Sequence, residues 1–219
     1  MIGEAASVAL GWLVGKVTDE AATRTAEGAI KRVLRKRADA AREIALQEIA
    51  AGREHVILDI PAQDEAVAIL WRYLRAAEEG TARLNLRLMA SILAGHNEAP
   101  FIHASEFLRW ADLVTSLSEI EIVFLATLHR ECLRQHEHSE AADEAARRCL
   151  IPRFFADEEA YTIAGLALVR TGLIVQISIV GMSGAGLLGG QFKTAPAMMQ
   201  LGRIADLEGV LAREDGWRG

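Results

Sequence analysis

The chain has 219 residues, with 24 Lys and Arg against 30 Asp and Glu, and 51% hydrophobic residues. That length holds one large domain or two small ones around a real core, and a 25% charged fraction excludes a disordered chain. Two cysteines exclude a disulfide framework, and a pI near 5.6 argues against a dedicated polyanion binder.

The first charge is Glu4 and the first cation Lys16, so the opening lacks the cationic start of a secretory signal. Ile2, Ala5, Val8, Ala9, Trp12, Leu13 and Val17 fall near one helical face instead. With Cys132 and Cys149 as the only thiols, a cytoplasmic setting is expected, membrane association being the alternative. A helical pattern rich in Ala, Arg and Glu runs to about Ala51, with Gly11, Gly15 and Gly28 as breaks. His55 to Ile60 reads as a strand or an extended linker before Pro61. The next helix spans about Gln63 to Glu79 with Val67, Leu70, Trp71 and Leu74 on one face. Thr81 is the expected N-cap of a helix carrying Leu84, Leu88, Ile92 and Leu93.

A soft boundary near His96 to Pro100 divides a helical region, 1–97, from a second region, 98–219. There a short helix, Ser105 to Val114, points Phe107, Leu108 and Ala111 inward. Ser118 with Glu121 forms a capping-box pattern ahead of Ile122, Leu125, Ala126 and Leu128. A polar stretch, His129 to Ser139, leads to a helix ending near Pro152. Asp157, Glu158 and Glu159 suit the positive end of a helix dipole, and that helix carries Ile163, Leu166, Ala167 and Val169. The period then changes: Leu173 to Val180 reads as a strand, Gly181 to Gly190 as a glycine-rich turn, and Gln191 to Thr194 as a returning strand. Pro196 precedes one last helix, about Ala197 to Arg213. The expected fold is mainly α, an N-terminal helical region followed by a winged-helix-like module with a small β-hairpin.

The phrases AAEEGTARLNLRLMASILAG (76–95) and FIHASEFLRWADLVTSLSEIEIVFLATL (101–128) resemble the abortive infection protein alpha family of bacteria and phages. So do LALVRTGLI (166–174) and the later QFKTAPAMMQLGRIADL. The resemblance implies a helical protein that ends in a winged-helix-like region and has a role in resistance to phage.

His129, Cys132, His136, His138 and Cys149 carry metal-ligand chemistry, but their spacing matches no zinc pattern, and intervening charges read as a solvated surface. Gly184, Gly186 and Gly189 have the letters of a dinucleotide fingerprint without the helix or acidic residue it requires. A hairpin turn explains these glycines better. No charge occurs between Arg170 and Lys193, which leaves a buried hairpin, a contact surface or a membrane-inserting segment (171–192) as readings. Lys31, Arg32, Arg35, Lys36, Arg37 and Arg42 form the strongest cationic cluster, a solvated helix or a site for an anionic partner.

Three carboxylates at the start of the helix in the recognition position, and a turn without cations, oppose DNA binding. With no nucleophile elbow and no HExxH, the chain is expected to be non-enzymatic, without catalytic residues, metal or cofactor. The expected activity is contact with a protein partner or with itself. Leu187 and Leu188 would supply apolar contacts, and Arg32, Arg35 and Lys36 a secondary basic patch. The alternatives are a membrane-active effector and a winged-helix DNA regulator.

Overall fold

In the computed structural model, residues 20–51, 63–95, 102–135, 139–177 and 191–214 are described. They are mainly helical with a small antiparallel sheet. In chain order the elements are α1 (Glu20–Ala51), α2 (Gln63–Glu79), α3 (Arg83–Ala94), α4 (Ala104–Thr115), α5 (Glu119–Arg134) and α6 (Ser139–Phe154). They continue as α7 (Glu158–Val169), β1 (Ile174–Ile177), β2 (Gln191–Thr194), α8 (Pro196–Ile204) and α9 (Leu207–Arg213).

The α3 helix is the hub. It packs against α1, α2, α4, α5 and α9, and Leu84, Leu88, Met89 and Ile92 are buried along it. Its polar side chains Asn85, Arg87 and Ser91 are buried too, each tying a neighbour. Asn85 Nδ2 donates to the carbonyls of Val114 and Leu117, 2.7 Å each, and so ties α3 to the end of α4 and the turn that follows it. Ser91 Oγ accepts from the Asp206 amide at 3.0 Å. Arg87, 1% exposed, donates to Glu48 on α1 and to Glu214 beyond α9, 2.8 Å each. Arg213 completes the network by binding the other Glu48 oxygen at 2.6 Å and Asp206 at 3.0 Å. The core is one cluster that runs from Ala41 to Val210 across the expected boundary near residue 97.

Local signals set the element ends. Ser118 and Glu121 form the capping box that opens α5, and Asp157 Oδ1 accepts from the Ala160 amide to open α7. β1 and β2 pair antiparallel with Ile174 opposite Thr194 and Ile177 opposite Gln191. Ile174 and Phe192 are buried, while Val175 and Lys193 face out.

Several expectations are corrected. Gly28 does not break α1, which continues through it. The residue before α3 is Ala82, which makes no side-chain cap, so Thr81 is not the N-cap. The segment after Leu128 is not a polar link: α5 continues to Arg134 and buries His129, Glu131 and Cys132. The last helix is two, because Asp206 interrupts it and caps α9 through the Gly209 amide at 2.8 Å. On α2 the inward residues are Ile69, Tyr73, Ala76 and Ala77, with Tyr73 Oη donating to the Ala41 carbonyl at 2.8 Å. Val67, Leu70 and Trp71 share one face, as their spacing predicts, and that face points outward. Small residues let α2 approach α1 closely, and that proximity overrides the larger apolar side chains.

Candidate interaction surface

Helix α7 sits on an aromatic cluster and a buried polar group. Tyr161 packs between Phe124 and Phe155, with ring centroids at 4.7 and 5.6 Å. Its hydroxyl donates to Asp143 Oδ1 at 2.8 Å, and Arg147 Nε binds Asp143 Oδ2 at 2.9 Å. The Arg147 guanidinium also lies 4.5 Å from the Tyr161 ring centroid. Burial pushes the Asp143 carboxyl above its ordinary range, although the hydrogen bonds from Arg147 and Tyr161 oppose it. Burial, reinforced by the Asp143 charge, raises the Tyr161 hydroxyl, so it remains a donor. One turn further on, Gly165 lies flat against Phe192, where a Cβ would collide with the ring.

Tyr161, Thr162, Gly165 and Leu168 therefore form the inner face of α7. The helical periodicity then forces Glu159, Ile163, Leu166, Ala167 and Arg170 outward. Ile163 is 55% and Leu166 40% exposed, and Val175 on the neighbouring β1 is exposed as well. Ile163, Leu166 and Ala167, placed on this helix by the apolar pattern, thus line its solvent face rather than the core. The signal that orients it is Gly165, which with Tyr161 and Leu168 marks the close-approach face at i, i+4 and i+7. Arg170 closes the stripe and binds Glu121 at 3.1 Å, its side chain 60% exposed. Burial raises the Glu121 carboxyl, but hydrogen bonds from Ser118 and Arg170 outweigh it and hold the group below its ordinary range.

The sequence-predicted site residues divide into two sets. Leu187 and Leu188 lie outside the described residues. Arg32, Arg35 and Lys36 are exposed on α1, on the side opposite Ala41, Ile44 and Glu48, and make no ion pair among the described residues. Arg37 leaves the cluster, because its Nη1 donates to the Glu78 carbonyl at 2.9 Å and ties α1 to the end of α2. Ile30 and Val33 are also exposed near this end of α1.

A groove of about 370 Å³ between α5, α6 and α9 is lined by Thr127, Arg130, Cys149, Arg153 and Glu208 among others. Its charges are of mixed sign, and Arg130 is held by Glu131 at 3.0 Å. His129 lies beside the groove, buried against Gly202. Cys132 is buried, and its sulfur accepts from Thr194 Oγ1 at 3.5 Å. His136 and His138 lie outside the described residues. Among the described residues no group of three His, Cys, Asp or Glu could hold a metal ion.

The described ends of the uncharged run 171–192 form β1 and β2, and the glycine turn itself lies outside the described residues. Among the described residues no helix is long and apolar enough to cross a membrane. No family model, curated protein or solved structure matches the chain.

Proposed function

We propose that the chain is a non-enzymatic helical interaction protein that works through protein–protein contacts, in the setting of bacterial resistance to phage. The setting rests on the family resemblance of the quoted phrases. The observation that carries the mode of action is the outward stripe of α7, where Ile163, Leu166 and Ala167 lie between Glu159 and Arg170. In a winged-helix reading of α5 to β2, α7 takes the place of the recognition helix. A helix that reads DNA presents cations and amides there, whereas this one presents carboxylates and hydrocarbon. Such a face suits another protein. Leu187 and Leu188 would extend it, and Arg32, Arg35 and Lys36 would form a separate basic patch.

The test is phage challenge of a bacterial host that expresses the full chain. Ile163→Ser and the pair Leu187→Asp with Leu188→Asp are expected to lose protection while the protein remains folded and abundant. Protection that survives both changes contradicts the proposal. Flotation of the purified chain with liposomes, removed by the Leu187 and Leu188 changes, would establish the membrane effector instead. Salt-dependent retention of the chain on DNA would establish the DNA regulator.

A further inference from the structure

We infer that the outward face of α7 binds the same face of a second copy of this chain, the two helices running antiparallel about a twofold axis. This deepens the protein-contact reading and rests on it. The exposed stripe reads Glu159, Ile163, Leu166, Ala167, Arg170, with its negative charge at one end and its positive charge at the other. An axis passing between Ala164 and Gly165 sets Glu159 of one copy against Arg170 of the second. It also sets Ile163 against Leu166. Both pairings occur twice, as an isologous contact requires, so the face is complementary to itself in charge and meets itself with its two large apolar side chains.

The small side chain of Ala167, exposed at the edge of the stripe, lets two such helices approach closely. The face is also held ready. Tyr161, Gly165 and Leu168 fix its rotation against the core, so little order is lost on association. Arg170 keeps its contact with Glu121 through one nitrogen, and its other donors remain for the second copy. A helix of 12 residues is about 18 Å long. A contact of that size lies at the small end of specific interfaces, so the dimer is expected to dissociate in the micromolar range.

The experiment is sedimentation velocity of the full chain over a dilution series. The wild type is expected to pass from monomer to dimer. Glu159→Arg places like charges across the axis and weakens the dimer about tenfold, and Arg170→Glu does the same. An equimolar mixture of the two variants restores opposite charges at both ends, and a heterodimer of wild-type affinity is expected. Ile163→Ser alters neither charge and weakens the dimer as well. Arg170→Glu also faces Glu121, so its melting temperature is measured first. If it melts early, Glu159→Arg and Ile163→Ser decide.

A wild type that is monomeric throughout, single variants that dimerise as the wild type does, or a mixture of two stably folded variants that fails to recover each overturn the inference. The broader reading is separated by phage challenge. A monomeric wild type whose Ile163→Ser variant still loses protection overturns self-association alone. Unchanged protection in that variant and in the Leu187→Asp, Leu188→Asp pair overturns the protein-contact reading too.

Discussion

Helices α3 and α7 have the same length, 12 residues, and opposite fates. α3 carries Asn85, Arg87 and Ser91 and is buried almost all round. α7 beyond its acidic first turn is nearly all apolar, yet it leaves Ile163, Leu166 and Ala167 in solvent. Hydrophobicity alone does not decide which helix goes inside. Arg87 is tolerated because Glu48 and Glu214 satisfy its guanidinium, and Asn85 and Ser91 because they bond backbone groups at the end of α4, in the turn after it and just before α9. α7 has more apolar surface than its one contact face can bury, and the surplus is available to a partner.

Breaking the α3 side should have the largest effect. Arg87→Met leaves Glu48 buried, still held by Arg213, and Glu214 held, among the described residues, by the exposed Arg83. Because both carboxylates keep a partner, the loss falls short of that for an uncompensated buried charge, and a urea titration is expected to show at least the loss of a charge-assisted hydrogen bond, about 1.5–3 kcal/mol. Gly165→Ala tests the inner face of α7, because the added methyl meets the Phe192 ring. Overpacking of this kind costs about 1–3 kcal/mol, read as a lower melting temperature.

His129 gives a smaller, pH-dependent effect. Burial holds its imidazole below the usual value near 6.5, with the Glu208 carboxylate opposing the shift. The folded pKa lies below the unfolded one. The stability from this group is therefore complete above about pH 6.5 and is lost as pH falls through the depressed folded value. Thermal melts are expected to fall between about pH 7.5 and 5.5, and less so in His129→Gln. An equal fall in the variant would remove His129 as the cause. The smallest stability change belongs to the outer face: Ile163→Ser should alter unfolding by no more than about 0.5 kcal/mol while it weakens association.

Much of this architecture is legible in the residues, for physical reasons that differ by element. The Ser118–Glu121 box and the Asp157 cap are local hydrogen-bonding signatures, and both occur where the sequence places them. The hairpin strands follow from the change of period after Gly172. The orientation of α2 and α7 was hidden, because it depends on close packing at Ala76, Ala77 and Gly165 rather than on the bulk of Trp71 or Ile163. The burial of Arg87 was equally hidden: its partners lie 39 and 127 residues away along the chain, and no local pattern signals them. Of the expected contact residues, Arg32, Arg35 and Lys36 share an exposed face as helical spacing allows. The outward stripe of α7 becomes apparent only once its inner face is fixed.

The most direct measurement is hydrogen–deuterium exchange of the full chain at low and high protein concentration, comparing amides of α3 and α7. If the surplus apolar surface of α7 is a contact face, residues 158–169 should exchange more slowly as concentration rises, while α3 stays unchanged. Exchange in α7 that is identical at every concentration, in a chain shown to be folded, would contradict self-association through this face.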